Sequence, residues 1–504
     1  MFTPVDWPAP DLLARLAERR PDRPALLDAD TGDRWTYAEL SSGPVDELAA
    51  GIRAAGLGPA DRLGTLLAPG ARMAQLVHAA ARAGCVLVPL PPDAPADVVR
   101  ERGATAAVDA LVVGADRDGA AVRAFDGPVY SARADSDAFE PLPGGLSAAQ
   151  PRYRWRPDED RWLVFTSGSV GEPKPVRLTA GNLLASATAS ALRLGVSPDD
   201  RWFDPLPMHH VGGLAPLVRS ALYGTAVVVQ AGFDTDATAA ALAGHDATGV
   251  SLVPTMLRRL LDAGWSPSPS LRFVLLGGAA ASRSLIERCR DANVPVHPTY
   301  GLTETASQVA TAPPAEAFAH PGTVGRPLPG VDVRVEADGG VASTGEPGEL
   351  VVAGPTVSPG YAGDAAEAAD RFEDGAFHTR DRGYRDGDGR LWVLGRLDDA
   401  LVTGGETVQP AVVEAALAAH PAVRSAAVVG LPDDEWGEVV GALVVRAEPV
   451  DAGTLLADCR ERLEPHAVPQ VVAFADTLPR TASGTVDRDA VRDRLRGENR
   501  PGGL

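Results

Sequence analysis

Lysine is almost absent from this chain of 504 residues: of 47 basic residues 46 are arginine, and the one lysine is Lys174. Positive charge is scarce altogether, since 44 Asp and 23 Glu leave a formal net charge of −20. That balance argues against a nucleic-acid binder working by phosphate neutralisation. Cysteine is nearly missing too. Cys85, Cys289 and Cys459 are far apart, odd in number and without a CxxC pair, so neither a disulfide framework nor a structural zinc site is expected. No apolar run approaches the roughly 20 residues that span a bilayer, and MFTPVDWPAPDLLARLAERR has no basic start followed by an apolar core. These absences predict a soluble cytoplasmic protein with no membrane insertion.

What is present is an ordinary globular composition, 45% hydrophobic and 23% charged, on a chain too long for one core, so two or more domains are expected. The Asp-rich, Lys-poor surface fits two readings: adaptation to a high-salt, halophilic cytoplasm, where acidic side chains hold water, or composition bias in a GC-rich genome. Short β-branched runs alternate with Ala/Leu/Arg segments of helical period, as in MAQLVHAAARAG before CVLVPLPP and ATAAALAGHD before TGVSLVP, which reads as α/β layers. From about Glu101 to Asp160 the pattern weakens into Asp, Ala, Gly and Pro and predicts irregular connections. Gly348 to Gly395 is strand- and turn-rich, with Asp-Gly hairpin chemistry in RDGDGR. Beyond it, helices are expected at Ala411 to Ala419 and Ala452 to Leu463, and strands at Ser425 to Val429 and Val440 to Arg446. The expected class is α/β: a large N-terminal α/β domain with layered sheets and a β-rich subdomain (1–395), and a small, mobile α+β C-terminal domain (396–504).

The most specific segment is LVFTSGSVGEPKPV, residues 163–176, an apolar strand entering a Thr/Ser/Gly loop closed by the only lysine. Small residues let backbone N–H groups converge, hydroxyls add donors, and Lys174 adds charge, which together suit a polyphosphate. It is not a Walker loop, because the Gly and Lys spacing differs and Pro173 and Pro175 block immediate helix entry. A Gly/Ser-rich surface turn is the plain alternative; keeping the sole lysine here speaks against it.

This loop resembles the phosphate loop of the adenylate-forming superfamily, which includes acyl-CoA and aryl-CoA synthetases. The resemblance extends in order through PLPMHHVGGL (205–214), VSLVPTMLRRLL (250–261), VLLGGAAAS (274–282), TYGLTETAS (299–307), GTVGRPLPGV (322–331), GELVVAGPTVSPGY (348–361), HTRDRGY (378–384), GRLDDALVTGGETVQPAVVE (395–414) and PRTASG (479–484). It implies an enzyme that joins a carboxylic acid to AMP from ATP, with magnesium, and then passes the acyl group to coenzyme A. By motif, Thr166, Ser167, Gly168, Ser169, Gly171 and Lys174 would cradle the phosphates. Tyr300 would stack on adenine, Gly278 and Gly301 would also bind the nucleotide, Thr303 would contact the α-phosphate, and Glu304, with Thr166, would hold the metal. Asp381 would bind the ribose hydroxyls and Arg396 would reach the ribose or phosphate, with Arg380 standing where the family usually has glycine. Asp398 falls at the family's hinge, and Gly404, Gly405 and Glu406 would approach the site in the CoA step.

Within the superfamily, LLGGAAAS, TETASQVAT and the uninterrupted GTVGRPLPGV are similar to the o-succinylbenzoyl-CoA synthetases of menaquinone biosynthesis. That similarity implies His210 and Ser307 at the acyl pocket, holding a carboxylate or keto oxygen; a loop pair of His209 and His210 packing on the pocket wall is the plainer reading. One departure stands out. After PRTASG the family places a lysine on the acyl carboxylate and α-phosphate, and this chain has Thr485. Losing a cation strongest in the transition state would cost several orders of magnitude in adenylation. Arg480 or Arg488 substitutes, or the enzyme runs slowly on Lys174 and magnesium, or the chain is a nucleotide-binding pseudo-ligase. Other acids, or a carrier-protein partner in place of free CoA, remain alternatives.

Overall fold

The computed structural model describes residues 7, 9–114, 122, 125–132, 139–144, 152–166, 173–337, 340–363, 370–397, 399–403, 406–433, 436–480 and 486–496. Six parallel strands form the centre of a nine-stranded sheet, in the order Val296–Leu302, Phe273–Leu276, Gly249–Leu252, Arg201–Asp204, Ala226–Val229 and Pro24–Asp28. Antiparallel strands close it, Arg34–Thr36 at one edge and Ser307–Thr311 followed by Arg326–Pro327 at the other. A six-stranded sheet runs Val129–Ser131, Ala110–Val113, Arg62–Leu66, Val86–Pro89, Asp160–Phe165 and Pro175–Thr179, parallel except for the last pair. Strands such as ALVV and FVLL are buried along their whole length, as parallel strands covered on both faces must be. The two α/β repeats singled out by pattern fold as expected: helix Ala71–Ala83 precedes strand Val86–Pro89, and helix Thr235–Gly244 precedes Gly249–Leu252.

A third, antiparallel sheet is built on Asp332–Ala337, Gly348–Ala353, Ala376–Arg385 and Leu391–Arg396. The C-terminal part carries its own five-stranded sheet, centred on Gly437–Arg446. Alternate residues of Val423–Asp433 point to opposite faces, so Val428 joins a core with helices Pro410–Ala418 and Ala452–Arg462, while Ala427 and Val429 join one with helix Arg488–Leu495. The architecture is thus a large α/β part with layered sheets and a smaller α+β part. Among the described residues no helix is long and apolar enough to cross a membrane.

Three local expectations need correction. Ala110–Val113 and Val129–Ser131 are strands inside the stretch read as irregular; four-residue apolar runs are too short to show a period. The strand expected to end at Val429 continues to Asp433. Its Pro432 sits opposite Glu438 on a strand paired only to Gly437–Arg446, an edge position where no ladder donor is required. The RDGDGR turn is a five-residue loop between Arg385 and Leu391. It is organised by the Asp386 carboxylate, which accepts from the backbone of Asp388 and Arg390.

Candidate active site

Functional segments follow the carboxyl ends of parallel strands, where α/β sheets bind ligands. Phe165 leads to Thr166, Asp204 to His209 and His210, Leu276 to Gly278, and Leu302 to Thr303. The neck of the phosphate loop is closed by two bonds: Thr166 N–H donates to the Lys174 carbonyl at 3.0 Å, and Lys174 N–H donates to Thr166 Oγ1 at 3.1 Å. Ser167, Gly168, Ser169 and Gly171 lie outside the described residues.

Lys174 Nζ stands 5.6 Å from the Tyr361 ring centroid, within cation–π reach. The Tyr361 hydroxyl donates to Glu304 Oε1 at 2.9 Å. Burial and the Glu304 charge raise the Tyr361 phenol, so it stays protonated as that donor. Sequence reasoning missed Tyr361, although it closes the quoted GELVVAGPTVSPGY motif. Glu304 is buried, and its backbone carbonyl accepts from Ser358 at 2.8 Å. Among the described residues no three His, Cys, Asp or Glu side chains gather as a cation cage. A magnesium ion that arrives on nucleotide phosphates needs only one or two carboxylates, so Glu304 fits that chemistry.

A second chain of contacts joins the β-rich sheet to the α/β sheet. Tyr300 donates its hydroxyl to Asp381 Oδ2 at 2.5 Å, and Arg396 Nε lies 3.5 Å from Asp381 Oδ1, on the strand paired with it. Burial raises the Asp381 carboxyl to about 6 against the pull of Arg396 and Tyr300. Arg380 has φ +60, a left-handed conformation that glycine adopts without cost, which explains why glycine is usual there. The turn is tied by Arg380 N–H to Glu349 Oε1 at 2.8 Å and by Leu397 N–H to the Arg380 carbonyl at 2.7 Å. Gly278 has φ +76. At Gly301 a Cβ would lie 1.7 Å from the Ser307 carbonyl oxygen, so only glycine lets the two strands meet.

His210 caps the helix Val211–Tyr223, its ring 4.2 Å from that of His209. Burial, aided by the Arg102 charge, lowers His210 to about 4 and, with His210 also contributing, His209 to about 3. Both are therefore neutral near pH 7, and His210 Nε2 is buried without a partner among the described residues. Ser307 has φ +110 and follows Ala306 at φ +52; such strain collects at functional sites. Its Oγ accepts from an Arg219 N–H at 3.1 Å. Arg219, which sequence reasoning missed, is 2% exposed, with its Nε unpartnered among the described residues. Burial drives the nearby Asp204 carboxyl upward, against the pull of the Arg219 charge. An arginine inside an apolar helix face gives no sign in one sequence of meeting a serine 88 positions away.

Asp398, Gly404, Gly405 and Thr485 lie outside the described residues, while Glu406 is exposed on strand Glu406–Val408. Arg488 is held by Asp399 at 3.2 Å, Glu414 at 3.0 Å and the Val428 carbonyl at 2.6 Å, a structural role that removes it as a lysine substitute. Arg480 is exposed, and partial desolvation together with the Arg258 and Arg259 charges lowers its pKa.

These features define an adenylate-forming enzyme, and the chain belongs to the AMP-binding enzyme family: residues 13–362 match that family and 412–485 match the AMP-binding enzyme C-terminal domain. It is 36% identical over 486 residues to the 2-succinylbenzoate–CoA ligase of Bacillus cereus, covering 96% of this chain and 98% of that protein. It superimposes on o-succinylbenzoate CoA synthetase (MenE) from Bacillus subtilis in complex with the acyl-adenylate intermediate OSB-AMP, with TM-score 0.88 and 32% identity over 98% of this chain and 99% of that one. The same enzyme in complex with ATP and magnesium ion gives TM-score 0.88 and 32% identity over 97% and 99%.

Proposed function

We propose that the protein is an ATP-dependent acid–CoA ligase that converts o-succinylbenzoate to o-succinylbenzoyl-CoA, a cytoplasmic step of menaquinone biosynthesis. The likeness to the B. cereus and B. subtilis enzymes over nearly the whole chain supports the reaction. The observation that carries the substrate is the buried Arg219 guanidinium on Ser307. A buried guanidinium held against Ser307 suits an acid with a second carboxylate better than a fatty acid, whose chain offers it no acceptor.

In the first half-reaction a substrate carboxylate oxygen attacks the α-phosphorus of ATP, and the bond to pyrophosphate breaks. Thr166 and Lys174, with Ser167, Gly168, Ser169 and Gly171, hold the phosphates, Thr303 meets the α-phosphate, and Glu304 holds the magnesium ion. When bound, that ion supplies charge neutralisation on the triphosphate. Gly278, Tyr300 and Gly301 receive adenine, and Asp381 with Arg396 receives the ribose. Neutral His210 offers hydrogen bonding to the acyl group without adding charge. In the second half-reaction the CoA thiolate sulfur attacks the acyl carbonyl carbon and AMP leaves. The division of the chain into 1–395 and 396–504, with a hinge at Asp398 and Gly404, Gly405 and Glu406 moving toward the acyl group, serves this step. Separate apolar cores on either side of that boundary support it.

Arg480 is the proposed replacement for the missing lysine at Thr485. Pyrophosphate release with o-succinylbenzoate, ATP and magnesium tests both readings: wild type is active, Arg480→Ala slows at least 100-fold, and Thr485→Lys restores the rate in the Arg480→Ala background. No release by wild type would overturn the substrate assignment.

A further inference from the structure

We infer that the protein holds a halide-sized anion, chloride in the cell, in an internal cavity bounded by helix Ala71–Ala83 and strand Asp160–Phe165, with Arg161 and His78 as its donors. Arg161 is 9% exposed, and its Nε is buried with no hydrogen-bond partner. Among the described residues its guanidinium has no hydrogen bond or ion pair; its closest aromatic contact is the Trp155 ring, centred 6.0 Å away. Burial lowers it only to about 10, so it is charged at neutral pH.

The one carboxylate it senses is already engaged. Asp11 is bound by Arg82 Nε at 2.6 Å and accepts from Ala14 N–H at 3.0 Å; Arg82 is further taken up by Asp46 at 2.6 Å and by Ser41. Of these groups Asp11 and Arg161 line the cavity, and Arg82 holds the Asp11 carboxylate to itself. A buried guanidinium with no acceptor is costly, and an anion can accept from several of its N–H groups at once.

His78 lines the same space. Burial and the Arg161 charge lower it to about 4, so the imidazole is neutral and can donate one N–H to an anion. The remaining wall includes Leu12, Leu13, Val218 and Ala221. The free space holds little more than one water-sized body, which admits a halide and shuts out a phosphate ester or a dicarboxylate. The cavity is also separate from the nucleotide site. Arg161 is the second residue of the strand whose far end enters the phosphate loop, about 16 Å away over five extended residues. The bound anion is thus structural, an acceptor for Arg161 between the two α/β sheets.

The test is thermal unfolding after exhaustive dialysis into sodium gluconate, with chloride replacing gluconate at constant ionic strength. Wild type is expected to gain roughly 2 °C, saturating with chloride, as a ligand specific to the folded state requires. Arg161→Gln should lose that gain while keeping the wild-type KM for ATP. Crystals of the wild-type protein grown in sodium bromide should show an anomalous bromine peak within hydrogen-bonding reach of Arg161, which decides the matter even if the variant fails to fold. No chloride-specific gain in wild type, an equal gain in the variant, or a bromide crystal with only water in the cavity would overturn the inference.

Discussion

Asp381 shows how a binding residue can oppose folding. Its carboxyl is raised to about 6 by burial, against about 3.9 in an unfolded chain. Between those values the folded state keeps a proton that the unfolded state has released, so stability falls as pH rises through about 4 to 6 and the loss persists above. Asp381→Asn, which can still accept the Tyr300 hydroxyl, is expected to raise ligand-free stability at pH 8 by on the order of 2 kcal/mol and to weaken ATP binding. Urea unfolding at pH 8 and pH 4 checks this: the gain should disappear at pH 4, and a gain independent of pH would rule out the ionisation. At the neighbouring Arg380, φ +60 makes Arg380→Gly close to neutral or stabilising by up to about 1 kcal/mol, despite the more flexible unfolded chain. The side-chain identities of Tyr300, Asp381 and Arg396 were legible in their motifs. The raised carboxyl was not, because desolvation is contributed by elements distant in the chain.

At the scale of elements, the antiparallel pair Val296–Leu302 and Ser307–Thr311 does most to shape the site. It joins Tyr300, the turn Thr303–Thr305 and Ser307 over a few residues. Gly301→Ala would press a methyl group on the Ser307 carbonyl and shift the acyl serine away from Arg219. A displacement near 1 Å is enough for a loss of roughly 100-fold in kcat/KM, expected here with the far-ultraviolet circular dichroism retained; wild-type activity would show that the pair opens freely. Helices and long strands could be read from periodicity, as with MAQLVHAAARAG. Ala110–Val113 and the extension through Pro432 could not, because their pairing partners, and not their own residues, make them strands.

For the whole molecule, a net charge of −20 sets up self-repulsion that salt screens. If the acidic surface is an adaptation, the unfolding midpoint should climb steadily from 0.1 to 2 M potassium gluconate, a salt that leaves chloride out of the comparison. A flat response would leave genome composition as the source of the bias. The exposed ion pairs, such as Arg288 with Asp262 and Arg496 with Asp493, are worth little singly. The response therefore belongs to the total charge.

Family, reaction class and the order of the nucleotide motifs were settled by the amino-acid sequence, because each motif is contiguous and its chemistry depends on local spacing. The folded chain decided what depends on distance in space: Tyr361 between Lys174 and Glu304, Arg219 against Ser307 across 88 positions, the commitment of Arg488 to structure, and the unpaired Arg161. A charge acquires its role from its burial and its neighbours, and in a chain that has replaced nearly every lysine by arginine only the tertiary structure separates the arginines that meet ligands from those that hold the fold.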